Sequence, residues 1–431
     1  MRTTTSADRP AGQRAAPVYR GQPPILGQVS TSFDVTAFRR HFPQLLDGAA
    51  HFDGPGGSQS PDVVAEAIAR TLTAPLANRG TVTAAERNAD EAVEAGRRAL
   101  ADLTGGDPRG VVFGRSMTAL TFEFSRTLAQ SWSPGDEVVV TRLDHDANIR
   151  PWVIAAERAG AVVKWADFDP ATAELAPDVV GALLTRRTRL VAVTAASNLL
   201  GTMPEVREIT DLAHDVGALA YVDGVHYTPH VPVDMAALGA DFFACSPYKF
   251  LGPHCGAVVA APEVLESLHP DKLLPATDEV PERFELGTLP YELMAGTAAA
   301  VDLLASAAPG EGTRRERLVT SLDAIRDHED ALRQTIEAAV AVLPGVTLHS
   351  RARRRTPTLL MSLDGVDMDD AYRFLGERGV NAPAGSFYAI EASRHLGLGD
   401  AGALRIGLAP YNTADDVDRL LDGLQAFVAS R

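Results

Sequence analysis

The sequence predicts an α/β fold: a large, mostly parallel sheet with helices on both faces, plus a smaller α+β C-terminal domain. Two patterns in its 431 residues carry that expectation. From about residue 110 to about residue 260, short apolar runs alternate with helix-like stretches, the pattern of strands buried on both faces of a parallel sheet. Beyond about residue 295 a long Ala/Arg/Leu-rich helical stretch precedes a few short strands with accompanying helices. A hydrophobic content of 45% with 22% charged residues leaves ample material for a large core.

The elements follow in order. Residues 1–33, rich in Thr, Arg, Pro and Gly and without period, read as a disordered tail. From Asp34, VTAFRRHFPQLL reads as helix, and AAHFD as a short strand ending in the loop GPGGSQSP. Two helical stretches come next, VVAEAIARTL and AERNADEAVEAGRRALADL, split by TAPLANRGTV. The strand GVVFGRS leads to the helix MTALTFEFSRTLAQSW, and DEVVVTRLDHD leads to PWVIAAERAG. AVVKWADF and RLVAVTAASN lead to VREITDLAHDVG, after which ALAYVDGVHY, DFFACSPYKF and GAVVAAP complete the strand series. In the last third, MAGTAAAVDLLASAA and RRERLVTSLDAIRDHEDALRQTIEAAVAVL are helical, VTLHS, TLLMSLD and ALRIGLA are short strands, and DDAYRFLGERG and ADDVDRLLDGLQAFVAS are helices. The expected organisation is a tail over 1–33, a large α/β domain over 34–300 whose first segment packs on the small domain, and a small domain over 301–431.

Charge and cysteine content exclude several functions. Forty Lys+Arg against 56 Asp+Glu give a net charge of −16, which argues against nucleic acid and against an anionic membrane surface as partners. No apolar run approaches the roughly 18 residues that span a bilayer, and the start carries charge without an apolar secretory core, so a cytoplasmic protein is expected. Cys245 and Cys255 are too few for a disulfide framework or a metal cluster, and no metal site is expected. Only three lysines, Lys164, Lys249 and Lys272, stand against 37 arginines, which makes a lysine in a chemically suggestive place easier to weigh.

In parallel sheets functional groups gather at the carboxyl ends of strands. Five strand ends are expected to bring such groups to one edge: Ser116 and Thr118 after VVFGR, Asp144 and His145 after VVVTRL, Asn198 after VAVTAAS, Asp223 and His226 after ALAYV, and Ser246, Tyr248 and Lys249 after DFFAC. This set suits pyridoxal 5'-phosphate. The cofactor needs a lysine amine for its aldehyde and a carboxylate that keeps its ring nitrogen protonated, so that the ring acts as an electron sink. It also needs hydroxyls and N–H groups at a helix N-terminus for its phosphate, and a flat group over its ring face. Lys249 fits the first role, Asp223 the second, Ser116, Thr118 and Ser246 the third, and His145 the fourth. Singly, each has an ordinary explanation. An aspartate before glycine forms turns, a lysine between Tyr and Phe can snorkel, alternation can turn Lys164 outward, and Lys272 lies in a charged loop. The joint set is far more specific than any member.

From about residue 35 onward the chain resembles the class V aminotransferase-fold enzymes that use pyridoxal phosphate, specifically the cysteine desulfurase and selenocysteine lyase branch. The motifs that carry the resemblance are LDHDANIRPW, SNLLGTMPEV, YVDGVHYTPHVPVD, DFFACSPYKFLGPHCG, RFELGT and RIGLAPYNTADDVDRL. It implies the fold type I architecture of these enzymes, with Lys249 binding the cofactor, Asp223 pairing its ring nitrogen and His145 stacking on its ring. It places Asn198 near the cofactor's phenolic oxygen and the substrate, and Arg405 on the substrate α-carboxylate. Thr288 would reach the phosphate of the partner subunit's cofactor, which implies a homodimer with shared active sites. Arg405 is also intelligible unaided, since a bidentate arginine is the best fixed grip on a carboxylate.

The departures from the family pattern are informative. Cysteine desulfurases carry a nucleophilic cysteine on a small-domain loop shortly before the arginine strand, and NAPAGSFYAIEASRHLGL has none here. Cys245 and Cys255 flank Lys249 and read as small packing residues. His226 stands where glutamine is common and remains able to donate to the phenolic oxygen or carry a proton. Tyr248 stands where histidine is common; it can bind phosphate but is a poorer base near neutral pH. Tyr388 offers another proton donor on what reads as a different substrate lid. The expected activity is on a small amino acid through a Cα carbanion, with Cβ–S cleavage first. Epimerisation of the isopenicillin N epimerase type, or transamination, is the alternative. A non-catalytic relative would be expected to lose Lys249 or Asp223, and both are present.

Overall fold

The expected helix after Asp34 is broken in two. In the computed structural model, which describes residues 33–431, Val35–Arg39 is an α-helix capped by the Asp34 carboxylate, and Pro43–Asp47 is a separate 3-10 turn. Pro43 is the cause: it pushes Phe42 out of the helical region and donates no N–H of its own. The tail expected over residues 1–33 lies, but for Phe33, outside the described residues. Strand β1 (Ala50–His51) follows, then helices Asp62–Thr73 and Ala84–Thr104, the second opened by a capping box between Thr83 and Glu86.

Seven strands form the large sheet: β2 (Val111–Gly114), β3 (Glu137–Thr141), β4 (Val162–Ala166), β5 (Thr188–Thr194), β6 (Leu219–Asp223), β7 (Phe242–Cys245) and β8 (Gly256–Ala260). Their spatial order is β2-β8-β7-β6-β5-β3-β4. The sheet is mostly parallel as expected, with β8 antiparallel to both neighbours. The reason for the exception is length: residues 246–255, which join β7 to β8, are too few for a crossover helix. Alternate residues feed two cores. Val139, Val191, Val193, Val222 and Phe243 pack on one face, and Val138, Val140, Leu190, Ala192 and Phe242 on the other. Both faces are covered, so the strands read as unbroken apolar runs.

The C-terminal part begins with helices Tyr291–Ala305 and Arg314–Val340. Strands β9 (Val346–Leu348), β10 (Thr358–Leu363), β11 (Val380–Asn381), β12 (Ala384–Gly385) and β13 (Ala403–Gly407) follow. Four of them make an antiparallel sheet in the order β12-β13-β10-β9, and β11 pairs in parallel with β1. Leu404 and Ile406 of β13 join a third core with Leu359, Met361 and Phe52, so the pleat turns Arg405 between them to the opposite side. The two-residue strands β11 and β12 and the short helix Ile390–His395 are too short to show a period in the sequence. Among the described residues no helix is long and apolar enough to cross a membrane.

Candidate active site

The five strand ends named from the sequence meet at a cavity of about 640 Å³. They are the carboxyl ends of β2, β3, β5, β6 and β7; β4 lies at the sheet edge and contributes nothing to the lining. Ser116, Thr118, His145, Asn198, Asp223, His226, Ser246, Tyr248, Lys249 and Arg405 all line it. Thr288 does not: it is exposed on a bend of this chain. Lys164 pairs with Glu137 at 2.9 Å and Lys272 with Asp278 at 3.1 Å, both away from the cavity. Lys249 is therefore its only lysine.

Lys249 ends the 3-10 turn Pro247–Lys249 that follows β7. Its Nζ donates to the Pro55 carbonyl and lies 4.9 Å from the centre of the Tyr248 ring. Burial, with the charge of Arg405, lowers its amine to about 7, against a smaller upward pull from Asp223. Just beyond it Leu251 has φ +74°, a left-handed conformation that costs a leucine energy. The loop after β1 holds the turn there. Leu251 N–H donates to Ser58 Oγ at 2.9 Å, and Ser58 N–H donates to the Tyr248 carbonyl at 3.0 Å. In the sequence GPGGSQSP reads only as a loop, and its density of Gly, Pro and Ser after a strand is the signal for close backbone approach.

Asp223 ends β6, accepts the Val225 N–H at 2.9 Å, and is pushed up to about 6 by burial. His145 precedes the turn Asp146–Asn148, and its Nδ1 accepts the Ala147 N–H at 3.0 Å. That bond leaves the ring proton of the neutral imidazole on Nε2. Burial, with the charges of Lys249 and Arg405, lowers the ring to about 4, so it is neutral near pH 7. Asp144, the other strand-end aspartate, does not line the cavity. It accepts from Asn148 Nδ2 at 2.7 Å and from the Thr141 hydroxyl, and burial raises it to about 8. Its work is to hold the turn that carries His145.

His226 Nε2 lies 2.9 Å from the hydroxyls of both Thr356 and Thr358. The His230 ring, itself paired with buried Glu329 at 2.8 Å, sits edge-on behind it. Burial lowers the basicity of His226 well below the usual range. The Tyr248 ring stacks on His254 at 4.8 Å, and burial raises its phenol. Ser116 caps the helix Met117–Ala129, its Oγ accepting the Ala119 N–H at 3.1 Å. A Cβ on Gly256 would stand 2.0 Å from the Met117 nitrogen, so only glycine lets β8 pass beside this helix start.

Arg405 is 1% exposed, yet among the described residues no carboxylate forms an ion pair with it. Its Nη1 donates to the Asn198 carbonyl at 3.0 Å, and its Nε has no partner. Burial lowers it to about 9, with Asp53 the carboxylate whose charge opposes the shift. The Asn198 Oδ1 is likewise buried and unpartnered. Neither cysteine lines the cavity. Cys255 Sγ lies 3.6 Å from the Thr297 hydroxyl, and burial pushes its thiol up to about 11 and that of Cys245 further. One buried amine of low basicity, a buried carboxylate, hydroxyls at a helix N-terminus and unpartnered polar atoms at Asn198 and Arg405 form a donor set that fits pyridoxal phosphate with an amino acid.

Residues 50–420 match the family described as aminotransferase class V. The uncharacterized protein MT3887 of Mycobacterium tuberculosis is 34% identical over 91% of this chain and 99% of its own length. The aminotransferase-like protein FGM3 of Gibberella zeae is 32% identical over 92% of this chain and 99% of its length. The cysteine desulfurase CsdA of Escherichia coli is 30% identical over 91% and 97% of the two chains. The crystal structure of CsdA in its S-sulfonic acid form superposes on this chain with a TM-score of 0.82, covering 92% of this chain and 99% of that one.

Proposed function

The chain belongs to the class V aminotransferases, enzymes whose cofactor is pyridoxal phosphate, and on that premise we propose that it cleaves a Cβ–S bond of a small, cysteine-like amino acid without a protein thiol. The observation that carries this reading is Lys249, the one lysine of the cavity, with its amine near 7 and a buried carboxylate at the neighbouring strand end. Bound there, the cofactor supplies an electron sink for the charge that develops at Cα.

The chain's own groups divide the rest. Lys249 holds the cofactor and, as a free amine, takes the Cα proton; near neutral pH about half of such a group is unprotonated. Asp223 would meet the ring nitrogen, and Ser116, Thr118, Ser246 and Tyr248 would hold the phosphate. His145 would cover the ring, while Asn198 and His226 would serve the phenolic oxygen. Arg405 grips the substrate α-carboxylate, which offers this buried cation its missing partner. The leaving sulfur is stabilised by a hydrogen bond from His145 Nε2–H and takes its proton from the Tyr388 hydroxyl, both of which belong to cavity-lining residues. Thr288 serves the site of a second copy, consistent with its exposure in a single chain.

The deciding experiment incubates the holoenzyme with a panel of amino acids while following visible absorption, pyruvate and sulfide. Stoichiometric pyruvate with sulfide or a small thiol supports cleavage. Inversion at Cα or an oxo acid without sulfur release would replace it by epimerisation or transamination. Turnover by the variant with both Cys245→Ser and Cys255→Ser is expected to stay within about twofold of wild type, because both thiols are buried off the cavity and held protonated. Loss of turnover with cofactor still bound would restore a thiol mechanism.

Reconstitution of the empty protein tests the lysine separately. Only the free amine attacks the aldehyde, so the uptake rate should fall about tenfold for each pH unit below about 7 and level off above it. A rate still climbing toward pH 10 would mean that the amine is unperturbed.

A further inference from the structure

We propose that Phe387 is a positioning residue for the carboxylate site, its ring holding the Arg405 guanidinium in the plane from which it meets a substrate α-carboxylate. The inference deepens the function proposed above and rests on its assignment of Arg405.

The Arg405 Cζ lies 3.5 Å from the centre of the Phe387 ring, which is contact over the ring face. All five guanidinium donors lie in the plane of the group, so an aromatic ring on its face consumes none of them. The Asn198 carbonyl takes one donor of Nη1 at 3.0 Å. On another side the backbone closes in, since a Cβ added to Gly56 would lie 3.5 Å from Nη2. One face and one donor are therefore fixed, and the remaining in-plane donors are left for a bidentate partner. Phe387 and Arg405 both line the cavity, so that partner is one the cavity admits.

The ring is delivered by an unusual piece of backbone. Phe387 and Tyr388 have φ +51° and +59°, two consecutive left-handed residues without a glycine. Their carbonyls are tied to the site itself. Asn198 Nδ2 donates to the Phe387 carbonyl at 2.9 Å, and the Asp146 N–H donates to the Tyr388 carbonyl at 2.8 Å. The segment that turns Phe387 onto Arg405 is thus anchored beside His145 and on Asn198, both of which line the cavity. Packing against the core explains the partial burial of Phe387. It does not explain a ring centred on a buried cation that has no ion-pair partner among the described residues.

The test titrates holoenzyme with L-alanine and with ethylamine, which differ by the carboxylate alone, and follows the visible absorption of the bound cofactor. Phe387→Ala should weaken L-alanine roughly tenfold and leave ethylamine unchanged, with Phe387→Trp restoring most of the difference. Phe387→Leu keeps bulk without a π face and should show the same selective loss, which covers the case in which alanine at this position disturbs folding. Arg405→Ala measures the carboxylate's full contribution on the same scale. Equal weakening of both ligands in Phe387→Ala, or a wild-type preference in Phe387→Leu, would reduce Phe387 to packing and overturn the proposal. If Arg405→Ala itself left the preference intact, the assignment of Arg405 would fail, a result distinct from failure of the clamp.

Discussion

Lys249→Ala is expected to abolish turnover, by roughly 10⁴-fold or more, because one amine both anchors the cofactor and moves the Cα proton. The cavity offers no substitute. Lys164 and Lys272 are engaged with Glu137 and Asp278 outside it, so alanine at either position should leave activity within about twofold. Lys249→Arg should be as inactive as alanine, since a guanidinium stays protonated and cannot act as the base. Borohydride reduction of the holoenzyme should fix the cofactor on the peptide that contains SPYKF. A label on Lys164 or Lys272 would move the site elsewhere and sink the arrangement argued from the cavity.

The same lysine shows how far the sequence reaches. Strands β3, β5, β6 and β7 were legible because both their faces are buried, which writes them as unbroken apolar runs. Their carboxyl ends then located Asn198, Asp223 and Lys249. What surrounds those side chains was not legible. Lys249 is braced by Pro55 and Ser58, 194 and 190 residues away from their bonding partners, and no local pattern announces such a contact. Phe387 reads as an ordinary loop aromatic until β13 sets Arg405 beneath it. Pro43 is the opposite case, a visible breaker inside a periodic stretch whose effect on the backbone overrides the period. Asp144 and Asp223 both read as strand-end aspartates, and only Asp223 takes a role at the ring nitrogen. The three-residue turn that folds Asp144 back onto Thr141 and Asn148 separates them, and that depends on tertiary packing.

That pair of aspartates supplies the second large expected effect. Asp223→Asn keeps the shape and an oxygen able to accept the Val225 N–H, but removes the charge that would face the ring nitrogen. Breaking a buried charge pair costs roughly 3–5 kcal/mol, so turnover should fall by about 10²–10⁴-fold. Asp144→Asn should stay within about tenfold of wild type, because burial already keeps that carboxyl largely protonated near neutral pH and an amide resembles it. Stability of the empty protein should move the other way at Asp223. Its carboxyl is raised to about 6 in the fold against about 3.9 unfolded. The folded state therefore holds its proton more tightly, and stability from this group is full below about pH 4 and lost as the pH rises through about 6. At pH 7 the buried carboxylate then costs about 2–3 kcal/mol, a cost that the asparagine variant escapes. Empty Asp223→Asn protein should consequently melt above empty wild type at pH 7 and match it near pH 4, while the cofactor stabilises wild type more than the variant. Thermal melts at the two pH values, with and without cofactor, check this. Wild-type turnover in Asp223→Asn would leave Asp223 a turn former, and an unchanged melting profile would show that its carboxylate is not held under strain for the ring nitrogen.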